Sequence, residues 1–333
     1  MLRIIIAFCL VFPVIPCLMN AQVTPGTSIT NEKTAAPSIG ARIFPPLFLT
    51  DALSAFKNQE AAKPYWVPEQ SEAQSGDFSL LLNNDIIAYY GHPNSRLMGI
   101  LGRYSIEEVD RQLVEYAEQY RAVNGGRGVR TAFYLIYGTV WPAGEIGRMG
   151  DENVMRYINY ALEHNMLVFL DHQIGKYTPL EAIRFLLPWL QYPNVHLALD
   201  PEWRTTRPME EIGFVRAEEV NQVQQEMENY LIKNNLPGER MLVIHQFKPL
   251  MIQNRERIRS NFERVRLVHC ADGWGTANQK LGTYLENANA TNIPVKAFKI
   301  FLPSSTTSNV DRPVFEPQRV MGLNPRPYLI MYQ

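Results

Sequence analysis

The first residues whose types and spacing suggest chemistry are two acids in the run Leu199-Asp200-Pro201-Glu202-Trp203. Asp200 and Glu202 are two positions apart, so in an extended chain they face the same side. Two neighbouring carboxyl groups have different pKa values, because the charge on one disfavours ionisation of the other. One stays ionised, and the other is pushed toward protonation at neutral pH. Acid-catalysed glycoside cleavage needs this division: one group protonates the leaving oxygen, while another stabilises charge or attacks. In the alternative interpretation, the two acids cap the next segment or pair with Arg204 and Arg207.

Two further segments have a similar character. Asp272-Gly273-Trp274-Gly275 combines an acid with glycines that allow a sharp turn, and Asp171 is followed directly by His172. Asp171 and Asp272 are therefore candidates for the second carboxylate, and Trp203 and Trp274 offer flat apolar faces suited to sugar rings. The alternatives are an Asp-Gly turn with a packing Trp, and a strand-end carboxylate bonded to backbone amides.

These residues all follow short apolar runs, which predict β-strands buried on both faces. Eight such runs occur, at 86–90, 131–137, 167–171, 195–200, 242–245, 266–270, 297–301 and 328–332. Helical stretches separate them, so we predict an α/β fold with a parallel sheet. The segment 86–333 has the length, roughly 250 residues, that is typical of a single (β/α)8 barrel, in which strand carboxyl ends meet at one mouth. The alternative, an open doubly wound sheet, normally has a Gly-rich phosphate loop after its first strand, and Gly91-His92-Pro93-Asn94 is not one.

Start and stop signals mark the helices between these strands. Ser105 and Glu108 have the spacing of a capping box, as do Thr178 and Glu181. A long helix is predicted from 216 to 235, before the stop signal Pro237-Gly238. Shorter helical stretches are predicted at 151–164, 254–262, 277–287 and 316–321.

Other polar side chains at or near the strand ends are predicted to bind substrate at the mouth. Besides Trp203 and Trp274, they are His92, Tyr137, His172, Gln173, His245, Gln246, Lys299 and Tyr332.

Lys299 is predicted to point into the barrel, because it alternates with Phe298 and Ile300, which should lie under the helices. An interior lysine acts as a Schiff-base nucleophile in some enzymes. The other interpretation pairs Lys299 with a carboxylate such as Asp272. Cys270, in the middle of its strand, is interpreted as a small core residue.

Several of the same residues are also potential metal ligands. An N/O site at the mouth could draw on His92, Asp171, His172, His245 and Asp272. No His-x-His or Glu-x-x-His pair occurs, so we predict no metal and no cofactor.

The N-terminus predicts export. Arg3 is followed by an apolar run that two prolines interrupt, with a small residue at Ala21, as in a secretory signal peptide. We expect a signal peptide at 1–21, a disordered Pro/Thr/Ser/Ala-rich tether at 22–45, an extension packing on the barrel at 46–85, and the barrel at 86–333. The alternatives are an uncleaved anchor and a lipid anchor at Cys17. After cleavage near Ala21 only Cys270 remains, which excludes an internal disulfide and a Cys-based zinc site.

The charge balance argues against several partner classes. The chain has 32 basic and 33 acidic residues and a formal net charge of −1. We therefore expect no nucleic-acid partner. From the predicted signal peptide we expect no integral membrane protein after signal removal, and place the mature protein in the periplasm, at the cell surface or outside the cell.

Two resemblances bear on these expectations. Asp200 and Glu202 match the Asp-x-Glu end of the motif of chitinase-like (family 18) glycoside hydrolases, while Val195 and Ala198 stand where that motif has two earlier acids. The chain also resembles a group of bacterial secreted or lipoprotein-type barrel proteins, from Tyr90-Gly91-His92-Pro93 to the C-terminal Tyr332-Gln333. That second resemblance implies the fold and the site location and no particular activity.

The leading hypothesis is an extracytoplasmic glycoside hydrolase-like enzyme acting on a poly- or oligosaccharide. Glu202 would be the acid/base, Asp200 would tune it, and Asp171 or Asp272 would be the second carboxylate. The alternatives are a non-catalytic barrel that binds a glycan of the cell envelope, and a metal-dependent hydrolase.

Overall fold

The computed structural model describes residues 80–273, 275–303 and 311–333, and they form a closed barrel of eight parallel strands. Closure is direct, because β1 pairs with both the second barrel strand and the last. The eight strands are β1 Asn84–Gly91, β2 Gly128–Val140, β4 Leu167–Gln173, β5 Val195–Asp200, β7 Arg240–Gln246, β9 Val265–Ala271, β10 Val295–Ile300 and β11 Pro327–Tyr332. The predicted (β/α)8 fold is confirmed, and each predicted strand lies within, or one residue beyond, one of these.

Three short strands lie outside the barrel wall. β3, Ile146–Arg148, pairs antiparallel with the end of β2 and forms a hairpin. β6, Val215–Arg216, and β8, Ile252–Gln253, pair with each other.

One short helix precedes the barrel, and six others lie between barrel strands. They are α1 Leu80–Asn83, α2 Ile106–Arg121, α3 Asp151–Glu163, α4 Pro179–Leu186, α5 Ala217–Lys233, α6 Ala277–Ala288 and α7 Pro317–Met321. Thr178 begins α4 with the predicted capping box. Ser105 accepts from the Glu108 N–H at the start of α2, but the box is incomplete, because the Glu108 carboxylate binds Arg111 and Gln112 instead.

The predicted helix at 254–262 is wrong. Only Arg255–Arg257 forms a 3₁₀ turn, and the chain then runs irregularly to β9. The reason lies in distant side chains: Asn221 of α5 bonds the Arg257 carbonyl and the Arg259 N–H, and Asn292 bonds the carbonyls of Arg255 and Ile258. Backbone groups that a helix would pair internally are thus bound from outside.

Strand alternation divides the core into two layers. One set of strand side chains packs against the helices, and the other fills the barrel interior. On β10, for example, Phe298 and Ile300 join the outer layer, whereas Val295 and Ala297 join the interior.

An ion-pair cluster holds the amino-terminal end of the barrel at its closure. The buried carboxylate of Asp85 on β1 lies 3.0 Å from Arg127, just before β2, and 2.6 Å from Arg326, just before β11. One acid therefore ties together the three strands that close the ring.

The predicted signal peptide, the tether and most of the 46–85 extension lie outside the described residues and stay predictions. Among the helices that the structure does describe, none combines the length and the apolar character needed to cross a bilayer.

Candidate active site

Inward-facing polar side chains gather at the carboxyl ends of the barrel strands. Each comes from a different strand or from the residue that follows it, so the fold alone brings them together. They are Tyr90, Tyr134, Asp171, Asp200, His245, Asp272 and Lys299, all of them buried.

His245 lies at the centre of this group. Its Nδ1 is 2.9 Å from Asp272 Oδ2, and its Nε2 is 2.8 Å from the Tyr134 hydroxyl. Asp171 Oδ2 is 3.9 Å from Nε2. Burial opposes charge on the imidazole, but Asp272 and Asp171 overcome it and hold the pKa of His245 well above its usual value. The two acids therefore favour the charged imidazolium form of His245.

Lys299 points into the barrel, as predicted. Its Nζ lies 3.8 Å from Asp272 Oδ2 and 4.0 Å from the centre of the Tyr90 ring, a cation–π geometry. Burial opposes the ammonium charge, yet Asp272 and Asp200 keep the pKa of Lys299 above its usual value. A charged ammonium is not nucleophilic, so the pairing interpretation of Lys299 holds over the Schiff-base one.

Asp272 is the anion that compensates both cations. Burial opposes its ionisation, but His245 and Lys299 hold its pKa below the usual range. Its other oxygen, Oδ1, accepts from the Cys270 thiol at 3.1 Å. With every oxygen engaged, Asp272 is a structural counter-ion.

The turn that carries Asp272 is fixed from the helix layer. The fully buried Lys280 of α6 donates to the Gly273 carbonyl and lies 3.4 Å from Asp311 Oδ2. Gly273 has φ +104°, a conformation that side chains rarely adopt, so a glycine is required there.

Asp171 is only partly engaged. The Tyr90 hydroxyl donates to its Oδ2 at 3.0 Å, whereas its buried Oδ1 has no hydrogen-bond partner among the described residues. Burial raises the pKa of this carboxyl, although His245 and Lys299 act against that.

Asp200 and Glu202 differ from the other acids, because neither carboxylate hydrogen-bonds or ion-pairs with a described residue. Asp200 is 2% exposed and its Oδ1 lacks a partner. Burial raises the pKa of Asp200 to about 7, with His245 acting against the shift and Asp171 adding to it.

Glu202 lies in the short turn after β5 and is half-buried. Burial and the neighbouring Asp200 raise the pKa of Glu202 well above its usual value. Burial and the neighbouring acid therefore favour the protonated form of Glu202, and Asp200 is divided between both forms near neutral pH.

This arrangement makes stability depend on pH. The folded-state pKa of Asp200, about 7, exceeds the unfolded value of about 3.9, so between these values the folded protein binds the extra proton and loses stability as pH rises. We expect Asp200→Asn to be more stable than the parent protein by about 4 kcal/mol at pH 8, with the difference nearly vanishing near pH 4. Urea denaturation from pH 4 to pH 8 measures this, with the exposed Asp151→Asn as the control. Parallel pH curves for the parent and Asp200→Asn would contradict the shift.

Two predicted mouth residues face the helices instead, because each follows an inward neighbour. His172 stacks on Phe185 of α4 with ring centres 6.0 Å apart, and burial lowers its pKa to about 4. Gln246 binds His269 at 2.7 Å and Arg255 at 2.9 Å in the outer layer. The prediction that they bind substrate at the mouth is corrected.

Tyr137 and Tyr332, which were also predicted at the mouth, lie in the outer layer instead. Tyr332 packs on α2, 2.8 Å from the Tyr120 hydroxyl and 4.4 Å from the Tyr116 ring centre. Tyr137, beside a register shift in β2, joins the outer layer and packs near Trp189.

Of the remaining predicted site residues, Gln173, His92 and Trp203 lie near the mouth. The Gln173 side chain accepts from the Val140 N–H at 2.8 Å and so holds the β2–β3 hairpin. His92, in the loop after β1, accepts from the Asn94 N–H at 3.1 Å. Trp203 is half-buried directly after Glu202. Trp274 lies outside the described residues.

Sequence reasoning missed Tyr90, Tyr134 and the part that Cys270 plays. Tyr90 and Tyr134 are the inward residues of β1 and β2 at the level of Asp171 and His245. Counting alternate positions back from the strand ends would have found them.

One group of possible metal ligands lies among the described residues. His245, Cys270 and Asp272 offer donor atoms that lie within 4.8 Å of one another. Those atoms already hydrogen-bond each other, and the Lys299 ammonium repels a cation at this place. Of the predicted N/O set, His172 faces away. This cluster therefore does not fit a metal.

The fold and site define a (β/α)8 barrel with an acidic, buried mouth. No protein-family model and no curated protein matches the chain. Similar solved structures include a chitinase from Chromobacterium violaceum ATCC 12472, with 12% identity over 65% of this chain and 68% of that one and a TM-score of 0.36. A family 18 chitinase of Flavobacterium johnsoniae has 9% identity over 75% of this chain and 87% of that one, with a TM-score of 0.41. A family 18 chitinase from Crocus vernus has 12% identity over 74% of this chain and 92% of that one, with a TM-score of 0.38. The chitinase-like resemblance thus recurs among solved structures as a distant likeness, from which we take no activity.

Proposed function

We propose that this chain is an extracytoplasmic glycoside hydrolase-like enzyme that cleaves an oligo- or polysaccharide at the barrel mouth. One observation carries the proposal: Glu202 is half-buried and unpaired among the described residues, and it lies beside a second unpaired acid, Asp200, which together with burial raises the pKa of Glu202. The export signal predicted at the N-terminus motivates the extracytoplasmic location.

The proposed reaction uses the two acids in different states. Glu202 donates its proton to the glycosidic oxygen as the bond from that oxygen to the anomeric carbon breaks. The Asp200 carboxylate stabilises the positive charge that develops at the sugar ring. Water then supplies the oxygen that bonds to the anomeric carbon, and its proton restores Glu202.

The buried cations under the site favour this division of states. His245 and Lys299 each act to lower the pKa of Asp200, whereas burial raises it. Without them the pKa of Asp200 would be higher, and less of its carboxylate would be ionised at neutral pH to stabilise a cation. They therefore act as positioning and electrostatic residues, one layer beneath the reacting atoms.

The sequence-based choice of Asp171 or Asp272 as second carboxylate is revised in this proposal. Both oxygens of Asp272 are engaged, and Asp171 accepts from Tyr90 deep in the barrel. Asp200, the acid nearest in sequence to Glu202, takes that role. Trp203 is proposed to hold a sugar ring, and Trp274 keeps its predicted role.

The test is a cleavage assay on a panel of soluble hexose and N-acetylhexosamine polymers, chitin oligosaccharides among them, with products measured by mass spectrometry. We expect new reducing ends from at least one polymer. The value of kcat/KM should rise as pH increases through about 7, because Asp200 must ionise, and should fall at higher pH as Glu202 loses its proton.

Two outcomes would contradict the proposal in different ways. Glycan binding without any cleavage would leave the non-catalytic binding barrel as the function. A kcat/KM that falls steadily from pH 5 to pH 7 would show that the acid and the ionised group are wrongly assigned. Adding EDTA during the assay checks the metal-dependent alternative, and loss of cleavage there would favour it.

A further inference from the structure

The exposed apolar side chains of the described residues are unevenly distributed. Three of them, Val114, Ile232 and Leu285, lie on helices. The others lie in loops that follow the carboxyl ends of β1, β2 and β7, on the face that holds Glu202; they are Leu97, Tyr104, Trp141 and Leu250. Apolar surface left open on one functional face indicates a contact with a ligand or partner.

Trp141 has the largest apolar surface of these loop residues. It is 56% exposed at the tip of the β2–β3 hairpin. A side-chain carbon added at Gly147 would lie only 2.2 Å from the Trp141 Nε1, so one edge of the indole rests on the bare backbone of β3. The ring is therefore supported on one side while much of it remains open.

The hairpin that presents Trp141 is held in place at both ends. At its tip, the backbone N–H of Trp141 donates to the Glu145 carbonyl at 2.7 Å. At its base, the Gln173 side chain fixes the Val140 N–H. The Lys176 N–H, in the loop after β4, donates to the Gly144 carbonyl at 2.9 Å. A fixed aromatic side chain loses little conformational entropy on binding.

The same hairpin touches the segment that carries the acid. A carbon added at Gly144 would lie 2.7 Å from the carbonyl oxygen of Thr205, three residues after Glu202. The Trp141 platform and the Glu202 turn are thus adjoining parts of one surface.

We propose that Trp141 is a remote subsite that stacks on a sugar ring of the same glycan chain that reaches Glu202. A pyranose ring presents flat C–H faces to an aromatic ring and hydroxyl groups at its edges, which suits an indole that is open on its face. The consequence is specificity for chains long enough to span both places. This inference rests on the proposed function for the identity of the ligand.

The test compares chain lengths. Wild type and Trp141→Ala are applied to a glycan array of hexose and N-acetylhexosamine oligosaccharides, and the tightest-binding oligosaccharide and its disaccharide are then titrated by calorimetry. We expect Trp141→Ala to weaken binding of the long chain about tenfold and to leave the disaccharide unchanged; tenfold corresponds to about 1.4 kcal/mol. Trp141→Phe should recover part of the affinity.

Two further variants sharpen the result. Gly147→Ala displaces the indole without removing it and should also weaken long-chain binding. Ile232→Ala removes an equally exposed apolar side chain at the far end of α5 and should change nothing.

The outcomes separate this inference from the proposed function. Unchanged long-chain affinity in Trp141→Ala, with cleavage intact, overturns the subsite alone. Equal weakening for the disaccharide shows that Trp141 belongs to the cleavage site and also overturns a remote subsite. If wild type binds no saccharide on the array, both proposals fall, and the apolar face is left for a protein partner.

Discussion

Glu202→Gln should lower the turnover of the cleaved glycan by about 10³-fold or more, while glycan affinity stays within about threefold. The amide has nearly the size of the acid but holds no transferable proton, so it removes the step in which the glycosidic oxygen is protonated. The loss should appear in kcat rather than in KM. Product formation under saturating glycan measures the rate, and calorimetry measures the affinity.

The matched control is Glu210→Gln, the same change on the same loop. Glu210 is exposed and lies 3.9 Å from Arg207, so its replacement should leave the rate within about twofold. If Glu202→Gln keeps more than a tenth of the parent rate, Glu202 is not the proton donor, and Asp200 becomes the candidate to test.

Asp272→Ala should destabilise the fold by about 3 to 5 kcal/mol at pH 7. The change leaves His245 and Lys299 as buried cations without their closest anion. Each must then stay charged without compensation or give up its proton. Urea denaturation followed by circular dichroism measures the loss.

A second variant distinguishes this charge effect from a simple cavity. Lys299→Met in the Asp272→Ala background removes one stranded cation and should recover part of the lost stability. Glu163→Ala, at an exposed position, should change stability by less than about 0.5 kcal/mol. No recovery in the double variant would mean that Asp272 contributes mainly by packing.

Much of the barrel could be predicted from the chain alone, because its signals are local. Each wall strand is a short apolar run, and the capping box of Thr178 and Glu181, which spans only four residues, marks the start of α4. The segment 254–262 could not be predicted in this way. Its conformation is set by Asn221 and Asn292, which are distant in sequence, and no short window contains that information.

The site shows which local information was left unused. The sequence analysis placed Asp171, His172, His245 and Gln246 together at the mouth, but strand alternation sends neighbouring side chains to opposite faces. Asp171 and His245 point inward, so His172 and Gln246 must face the helices. Tyr137 follows the same rule, because it alternates with Phe133 and Leu135 in the outer layer. The separation of roles between Asp272 and Asp200 also needed the structure, since it depends on which acid meets the two cations.

The compensated set of Asp272, His245 and Lys299 has an evolutionary consequence. Because each charge is buried and balanced by the others, a lineage that loses one member passes through a poorly folded intermediate. These three positions are therefore expected to co-vary, so that a replacement at one is accompanied by replacements at the other two. The loops of the mouth, Trp141 among them, carry no such constraint and can diverge one residue at a time, so binding preferences can diversify over an unchanged interior.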